Sequence, residues 1–355
     1  MDMWSWLWEV DSELRENDND VLANYIDDIP SDTCAGRHKK VDQYADEAIA
    51  LAQASGLGWV EVFLRHWKLQ SNVLHRAKPK DMIREAVVLL ELSSREENQD
   101  CPQSVCAVQD LASCYSCFDG PGYVEERLAV ASENIVKINP GWGCYVCIAT
   151  EYVSALYDAN RLDDCLDYLE QIDKDLVAYG KGKETGHLLL AKVKVLADQG
   201  HFDKARKFAK NVRNDSSGNT FRVLTKIYKS YIEAKAGQVK KAIELLPSLK
   251  ESEISLASMD MWSEVMYIAM IKDESFRTKK NIVCLMSIAK DMLERGTYRQ
   301  AFNLNAQIID LMLRFNFDVD FVINDLLSEM KNIQKSLHRD EGASDIIQGI
   351  IIASS

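Results

Sequence analysis

The sequence has little proline, and its first residues do not have the pattern expected of an export signal. Only six of its 355 residues are proline, and the alternating β-branched patterns of strands are scarce. The first ten residues are apolar but contain no basic residue and are soon followed by acidic ones, unlike a signal peptide or a membrane span. We therefore expect an all-α cytoplasmic protein with no membrane partner.

Basic residues are also fewer than acidic residues. The chain has 42 basic and 55 acidic residues, a formal net charge of −13. Binding to nucleic acid or to an anionic membrane depends on a basic surface, so neither is expected as the main partner. Hydrophobic residues make up 47% of the chain and charged residues 27%, which is typical of a folded protein.

Sequence signatures of enzymes are missing. The chain contains no GxxxxGK[ST], GxGxxG, HExxH or GxSxG motif. Its six histidines do not cluster at a metal-binding spacing. We therefore expect a protein that is not an enzyme and that has no catalytic residues and no cofactor.

One short phrase occurs four times. A turn residue is followed by one residue, then an apolar residue, two more residues, and a small residue within the next helix. A small side chain at this place lets two consecutive helices approach closely. The phrases begin at Asn160, Gly200, Gly237 and Gly296, and their small residues are Cys165, Ala205, Ala242 and Ala301.

This phrase resembles the turn of tetratricopeptide repeats. The resemblance implies a right-handed α-solenoid of antiparallel helix pairs, with residues 1–40 and 315–355 as caps around repeats at 41–314. The phrases start 40, 37 and 59 residues apart by subtraction, whereas the common repeat period is 34. The long interval is explained either by an extra helix around Ser258–Ile271 or by a bend or break in the superhelix.

The resemblance also implies a function. Such proteins bind a peptide, a helix or a protein surface on a concave face lined by the first helix of each pair. We therefore predict a scaffold, adaptor or inhibitor whose partner is another protein. A peptide-sensing regulator is an alternative. The partner-binding residues that the repeat spacing predicts are Glu151, Tyr157, His187, Lys194, Tyr228, Tyr231 and Lys235.

A basic block lies within this acidic chain. Residues 192–241 contain thirteen Lys or Arg and four acidic residues, a balance of +9. Such a block could steer an acidic partner towards the protein. Alternatively, its lysines are the solvated outer faces of two repeats.

Cysteines form two CxxC pairs, Cys114/Cys117 and Cys144/Cys147. Four thiolates suit zinc, and a CxxC pair suits redox chemistry. However, both pairs are expected within helices, where buried cysteine acts as a small hydrophobic residue. The favoured interpretation is structural, and a metal- or redox-responsive sensor stays open as the alternative.

Both ends of the chain are apolar. Trp4 and Trp8 are expected on one helix face beside Leu7, as a cap over the first repeat or as an anchor for a partner. Five isoleucines lie within residues 345–355, and we expect them to pack. Either apolar segment could also join two copies of the chain.

Overall fold

The computed structural model describes residues 3–99, 101–136, 138–142, 144–182, 186–212, 218–252, 258–317 and 320–354. Within these ranges the chain is all-helical, with nineteen α-helices and no β-strand. None of the helices in this part of the chain combines the length and the apolar character needed to cross a membrane. The predicted all-α class is confirmed.

The chain divides into two compact units. Unit 1 comprises Met1–Cys117 and Glu125–Tyr152, and unit 2 comprises Phe118–Val124 and Val153–Ser355. The first eight helices are α1 (Met3–Glu16), α2 (Asp20–Cys34), α3 (His38–Ala54), α4 (Gly58–Leu69), α5 (Ile83–Ser93), α6 (Ala107–Asp119), α7 (Val124–Ile135) and α8 (Cys144–Asp158).

Eleven further helices follow in unit 2. They are α9 (Leu162–Ala178), α10 (His187–Asp198), α11 (Phe202–Lys210), α12 (Gly218–Lys235), α13 (Val239–Leu245), α14 (Leu249–Ser252), α15 (Met259–Lys272), α16 (Lys279–Arg295), α17 (Tyr298–Phe315), α18 (Asp320–Gln334) and α19 (Ala343–Ser354). Helix α15 corresponds to the extra helix, one of the two explanations of the long interval.

The four repeated phrases form four similar turns. Their first residues have positive φ angles of 56° at Asn160, 78° at Gly200, 78° at Gly237 and 87° at Gly296. In each, the next N–H donates to a carbonyl five residues back, at 2.8 to 3.0 Å. This is the Schellman ending of a helix, which glycine or asparagine allows because φ must be positive. The small residues that follow are all fully buried, as predicted.

Three more turns of the same kind occur in unit 1, where the sequence phrase did not identify them. They begin at Asp18, Gly36 and Gly56, with φ angles of 59°, 73° and 68°, and in each the next helix starts two residues later. Asp20, His38 and Gly58 stand where the phrase has an apolar residue. The turn geometry therefore occurs at more places in the chain than the residue pattern that predicts it.

Unit 1 is organised around consecutive helices that contact one another from α1 to α5, and α2 also contacts α4. Trp6 and Leu7 of α1 are buried in its core, and the Trp6 ring lies 5.8 Å from Trp59 and 5.5 Å from Phe63. Helix α1 thus packs on this core, but Trp8 points outward and is 79% exposed. The interpretation of Trp8 as part of a cap is therefore wrong, whereas its role as an anchor for a partner stays a prediction; the Trp4 side chain lies outside the described residues.

Unit 2 contains a row of helices in which α10 contacts α12, α12 contacts α15 and α15 contacts α17. Helices α11 and α13 also contact α12, and α11 contacts α10 while α13 contacts α15. At the end, α18 and α19 contact α17 and each other. Of the isoleucines in α19, Ile347 is buried, whereas Ile346 and Ile352 are exposed, so the packing expected for this segment is partial.

The segment Phe118–Val124 belongs to unit 2 and contacts residues that are far from it in the sequence. The buried Asp119 accepts a hydrogen bond from Arg299 Nε at 2.7 Å and one from the His338 backbone N–H at 2.8 Å. Tyr123 stacks on the His338 ring at 3.9 Å between centroids. In a strict solenoid each repeat contacts only its neighbours. These contacts span 180 and 219 residues, so unit 2 departs from that rule.

Candidate functional site

Four of the predicted partner-binding residues meet at one carboxylate of unit 2. Asp198, the last residue of α10, accepts a hydrogen bond from Tyr157 OH on α8 at 2.7 Å and another from Tyr231 OH on α12. Lys194 Nζ lies 3.5 Å from one carboxylate oxygen and Lys235 Nζ lies 3.2 Å from the other. Three helices are therefore joined at a single side chain.

The lysines also lie over the tyrosine rings. Lys194 Nζ is 3.5 Å from the centroid of the Tyr157 ring, and Lys235 Nζ is 5.4 Å from that of Tyr231. A cation within about 6 Å of an aromatic centroid is attracted by the ring quadrupole. Each lysine is thus held by a carboxylate at its end and by an aromatic face beside it.

Helical spacing explains why these side chains come together. Lys194 and Asp198 are four residues apart on α10, and Tyr231 and Lys235 are four apart on α12, so each pair lies on one helix face. Because α10 and α12 are in contact, the two faces meet.

The network continues onto α15. Glu264 Oε1 lies 3.4 Å from Lys235 Nζ and 3.4 Å from Tyr231 OH. We refer to Tyr157, Lys194, Asp198, Tyr231, Lys235 and Glu264 as the Asp198 cluster. Two further carboxylates, Asp158 of α8 and Asp260 of α15, lie near this cluster. Asp260 interacts electrostatically with Lys194, Glu264 and Asp158.

The surrounding charges change the acidity of Asp198. Burial alone would raise the pKa of this carboxyl group, but Lys194 and Lys235 and the hydrogen bonds from Tyr231 and Tyr157 outweigh burial and lower it below its usual 3.8. Burial and the nearby carboxylates raise the pKa values of Tyr157 and Tyr231. The tyrosines are therefore neutral donors and Asp198 is a charged acceptor.

A second carboxylate joins α12 to α11 and α13. Glu233 accepts hydrogen bonds from Arg206 on α11, at 2.9 and 3.0 Å, and from Lys241 on α13 at 2.8 Å. The hydrogen bond from Arg206 is the main cause that lowers the pKa of Glu233. Part of the predicted basic block is thus used for ion pairs within unit 2.

Acid should destabilise unit 2 through these carboxylates. A carboxyl group whose pKa is lowered on folding stabilises the fold above its unfolded pKa and loses that contribution as the pH falls through its folded pKa. We therefore expect the free energy of unfolding to decrease as the pH is lowered from about 4. Asp198→Asn should cost about 1–3 kcal/mol at neutral pH, because it weakens hydrogen-bonded ion pairs, and should flatten this acid dependence.

Urea titrations between neutral and acidic pH would measure both effects. The matched control is Asp203→Asn, since Asp203 is an almost fully exposed aspartate on α11. It should keep the stability and pH dependence of the unaltered chain. An Asp198→Asn protein with an unchanged acid slope would contradict the prediction.

The other three predicted residues lie elsewhere. Glu151 is in unit 1, where its carboxylate accepts a hydrogen bond from Ser113 at 2.8 Å. His187 is exposed and packs edge-on against Phe221. Tyr228 packs against the core of unit 2, and burial together with the charges of Asp260 and Asp198 raises its pKa. Only Tyr228 therefore lies near the cluster.

The sequence prediction missed the carboxylates of this site. It chose aromatic and basic residues from the repeat spacing, and it treated Asp198 only as one acid within the basic block. A usable signal was present, since Asp198 stands four residues after Lys194 and immediately before a turn. Glu264 had no such signal, because α15 lies outside the repeated phrase.

The CxxC residues do not form a common metal site. Cys114 is buried and Cys117 partly buried on α6, whereas Cys147 is exposed near the start of α8. Among the described residues, which include all nine cysteines, no three His, Cys, Asp or Glu side chains are placed to hold a metal ion, and no disulfide is formed.

Comparison with known proteins adds no family to these observations. No protein-family model matches the chain, and no curated protein matches its sequence.

Proposed function

We propose that the protein is a non-catalytic scaffold, adaptor or inhibitor that binds a segment of another protein. In this proposal its helices form antiparallel pairs in a right-handed solenoid that resembles tetratricopeptide repeats. The partner lies along the row made by the end of α8 and by α10, α12 and α15. The observation that carries the proposal is that residues predicted for this face from separate helices meet at Asp198.

The charges of this face favour a basic partner. Its carboxylates are Asp158, Asp198, Asp260 and Glu264, and its ammonium groups are Lys194 and Lys235. Four carboxyl groups and two ammonium groups leave an excess of two carboxyl groups. Complementary charge steers association and selects partners, so we propose that the bound segment presents a lysine or an arginine.

The cluster contains both a fixed and an accessible part. Tyr231 is buried and Asp198 nearly so, which makes them supports for the row of helices. Glu264 is partly exposed, and the Asp260 side chain reaches the surface although the packing around its carboxyl group raises its pKa. A basic side chain would meet these two carboxylates first, and the lysines held behind them would limit how deeply it enters.

A library of random linear peptides, selected against the immobilised chain, tests this proposal. We expect the selected peptides to share a basic residue. The double variant Asp260→Lys/Glu264→Lys should bind them at least about tenfold more weakly, which corresponds to about 1.4 kcal/mol, because reversed charges repel the basic side chain. Fluorescence anisotropy with labelled peptides would give the dissociation constants.

The matched control reverses two exposed acids on other helices, Asp203→Lys of α11 and Glu244→Lys of α13. It changes the net charge by the same amount but leaves the Asp198 cluster intact, so the peptides should bind as before. Selected peptides that are acidic, or equal loss of binding in both double variants, would overturn the proposal. Circular dichroism would show that both variants keep their helical content.

A further inference from the structure

Two cysteines that are far apart in sequence meet in unit 1. Cys106 lies just before α6, and Cys144 is the first residue of α8. The Cys106 thiol donates a hydrogen bond to Cys144 Sγ, with 2.9 Å between the sulfur atoms. This separation is about 0.9 Å longer than a disulfide bond of about 2.04 Å. A small movement would bring the two sulfur atoms to bonding distance.

A buried ion pair lies beside these thiols. His66 Nδ1 of α4 is 2.7 Å from Asp110 Oδ2 of α6, and the other oxygen of Asp110 accepts a hydrogen bond from Gln70 at 2.8 Å. Both His66 and Asp110 are buried. Burial would lower the pKa of His66, but the charge and hydrogen bond of Asp110 more than offset burial and raise it. The imidazole is thereby favoured in its positively charged form.

The two thiols differ in their environment. The hydrogen bond from Cys106, together with the charge of His66, lowers the pKa of Cys144 to about 7, although burial acts against this shift. The first position of a helix also favours a thiolate, because the helix dipole is positive there. Donation to Cys144, then burial, raises the pKa of Cys106. Cys144 is also partly exposed, whereas Cys106 is only 3% exposed.

We propose that Cys144 and Cys106 are a redox-active pair that reacts with a hydroperoxide. The Cys144 thiolate attacks one peroxide oxygen, the O–O bond breaks, and hydroxide or an alkoxide leaves as Cys144 becomes a sulfenic acid. Cys106 sulfur then attacks Cys144 sulfur and releases its proton. An S–S bond forms, the S–O bond breaks, and water leaves. Two thiols are oxidised by two electrons, and an external dithiol reverses the change.

This pair differs from the pairs that the CxxC spacing suggested. Within a helix, residues three apart have Cβ atoms about 5–6 Å apart, whereas a disulfide needs about 3.5–4.5 Å. Cys114 and Cys117 lie inside α6 and face that restriction. Cys144 instead has a hydrogen-bond donor from outside its own helix. This pairing could not be predicted from the CxxC spacing, because Cys106 belongs to neither CxxC pair.

Peptide mapping of the full chain, fully reduced and then treated with one equivalent of hydrogen peroxide, tests the proposal. We expect a mass loss of two hydrogen atoms and a cross-link between Cys106 and Cys144 that dithiothreitol removes. In Cys106→Ser the hydroxyl can still donate but cannot form a disulfide. Cys144 should then accumulate as a sulfenic acid that dimedone traps, and the cross-link should be lost.

Two further variants complete the test. Cys144→Ser should leave Cys106 unreacted, because the attacking thiolate is gone. Cys147→Ser, an exposed cysteine in the first turn of the same helix, is the matched control and should form the Cys106–Cys144 cross-link normally. A cross-link between any other two cysteines, or dimedone labelling of Cys147 in preference to Cys144, would overturn the assignment. Thermal melting by circular dichroism would establish that each variant is folded before oxidation.

Discussion

Replacing Arg299 by alanine is expected to destabilise unit 2 by about 3–5 kcal/mol, the usual cost of removing one partner of a buried ion pair. The Arg299 and Asp119 side chains are 7% and 0% exposed. Arg299 also donates to the Arg339 carbonyl oxygen at 2.9 Å. After the change, Asp119 would keep the His338 N–H but would lose the positive charge that compensates for its burial. Urea unfolding followed by circular dichroism would measure the loss.

Arg314→Ala is the matched control. It removes an arginine–aspartate pair from the same helix, α17, but its arginine is 59% exposed. Exposed pairs contribute about 0–1 kcal/mol, so this variant should lose far less stability than Arg299→Ala.

A second substitution identifies the cause. Asp119→Asn in the Arg299→Ala background removes the uncompensated charge and should recover part of the stability. If Arg299→Ala were no more destabilising than Arg314→Ala, the placement of Phe118–Val124 against α17 would be wrong. Hydrogen exchange of the peptides covering 118–124 and 336–342 would show whether the loss is local, because ion pairs of this kind fix one segment rather than the whole unit.

Local geometry was the most predictable part of this fold. Glycine or asparagine with positive φ, followed by a small residue that must be buried, is determined by a few neighbouring residues. The turns at Gly200 and Gly237 were therefore found from the sequence. The turn at Gly56 does not match the phrase, because Glu61 stands where the phrase has a small residue. Glu61 is buried and accepts hydrogen bonds from Gln53 and Arg65 instead.

The candidate site was predictable in part for a related reason. Tyr157, Lys194, Tyr231 and Lys235 lie at related places on successive helices, so repeat spacing alone could bring them together. Spacing could not show that these side chains pair with one another through a carboxylate. That pairing changes the expected partner, because lysines that are already held by Asp198 offer less to an acidic peptide.

Contacts between distant segments were not predictable. The bond between Asp119 and Arg299 joins segments 180 residues apart. Cys106 and Cys144 are 38 residues apart, close to two of the repeat intervals, but neither cysteine belongs to the repeated phrase. Nothing in the residues beside Asp119 or Cys106 indicates such a contact, since it depends on how several helices pack in succession. Repeat patterns describe nearest neighbours, and the contact between Asp119 and Arg299 lies beyond that range.

Ala205→Trp and Ala242→Trp are each expected to destabilise unit 2 by about 3 kcal/mol or more, at the upper end of the cost of overfilling a packed core. Both alanines are fully buried, directly after the turns at Gly200 and Gly237. The larger ring would force α10 from α11, or α12 from α13. For a unit of this size the melting temperature should fall by about 6–12 °C, at about 2–4 °C per kcal/mol.

Lys204→Trp and Lys240→Trp are the matched controls, because each places the same ring at an exposed position of the same helix. Surface substitutions usually change stability by about 0.5 kcal/mol or less, so these proteins should melt close to the unaltered chain. If the alanine and lysine variants melted alike, the small residues of the phrase would not be where consecutive helices touch. The resemblance to tetratricopeptide repeats would then lose its physical basis, since that resemblance depends on close helix approach at these positions.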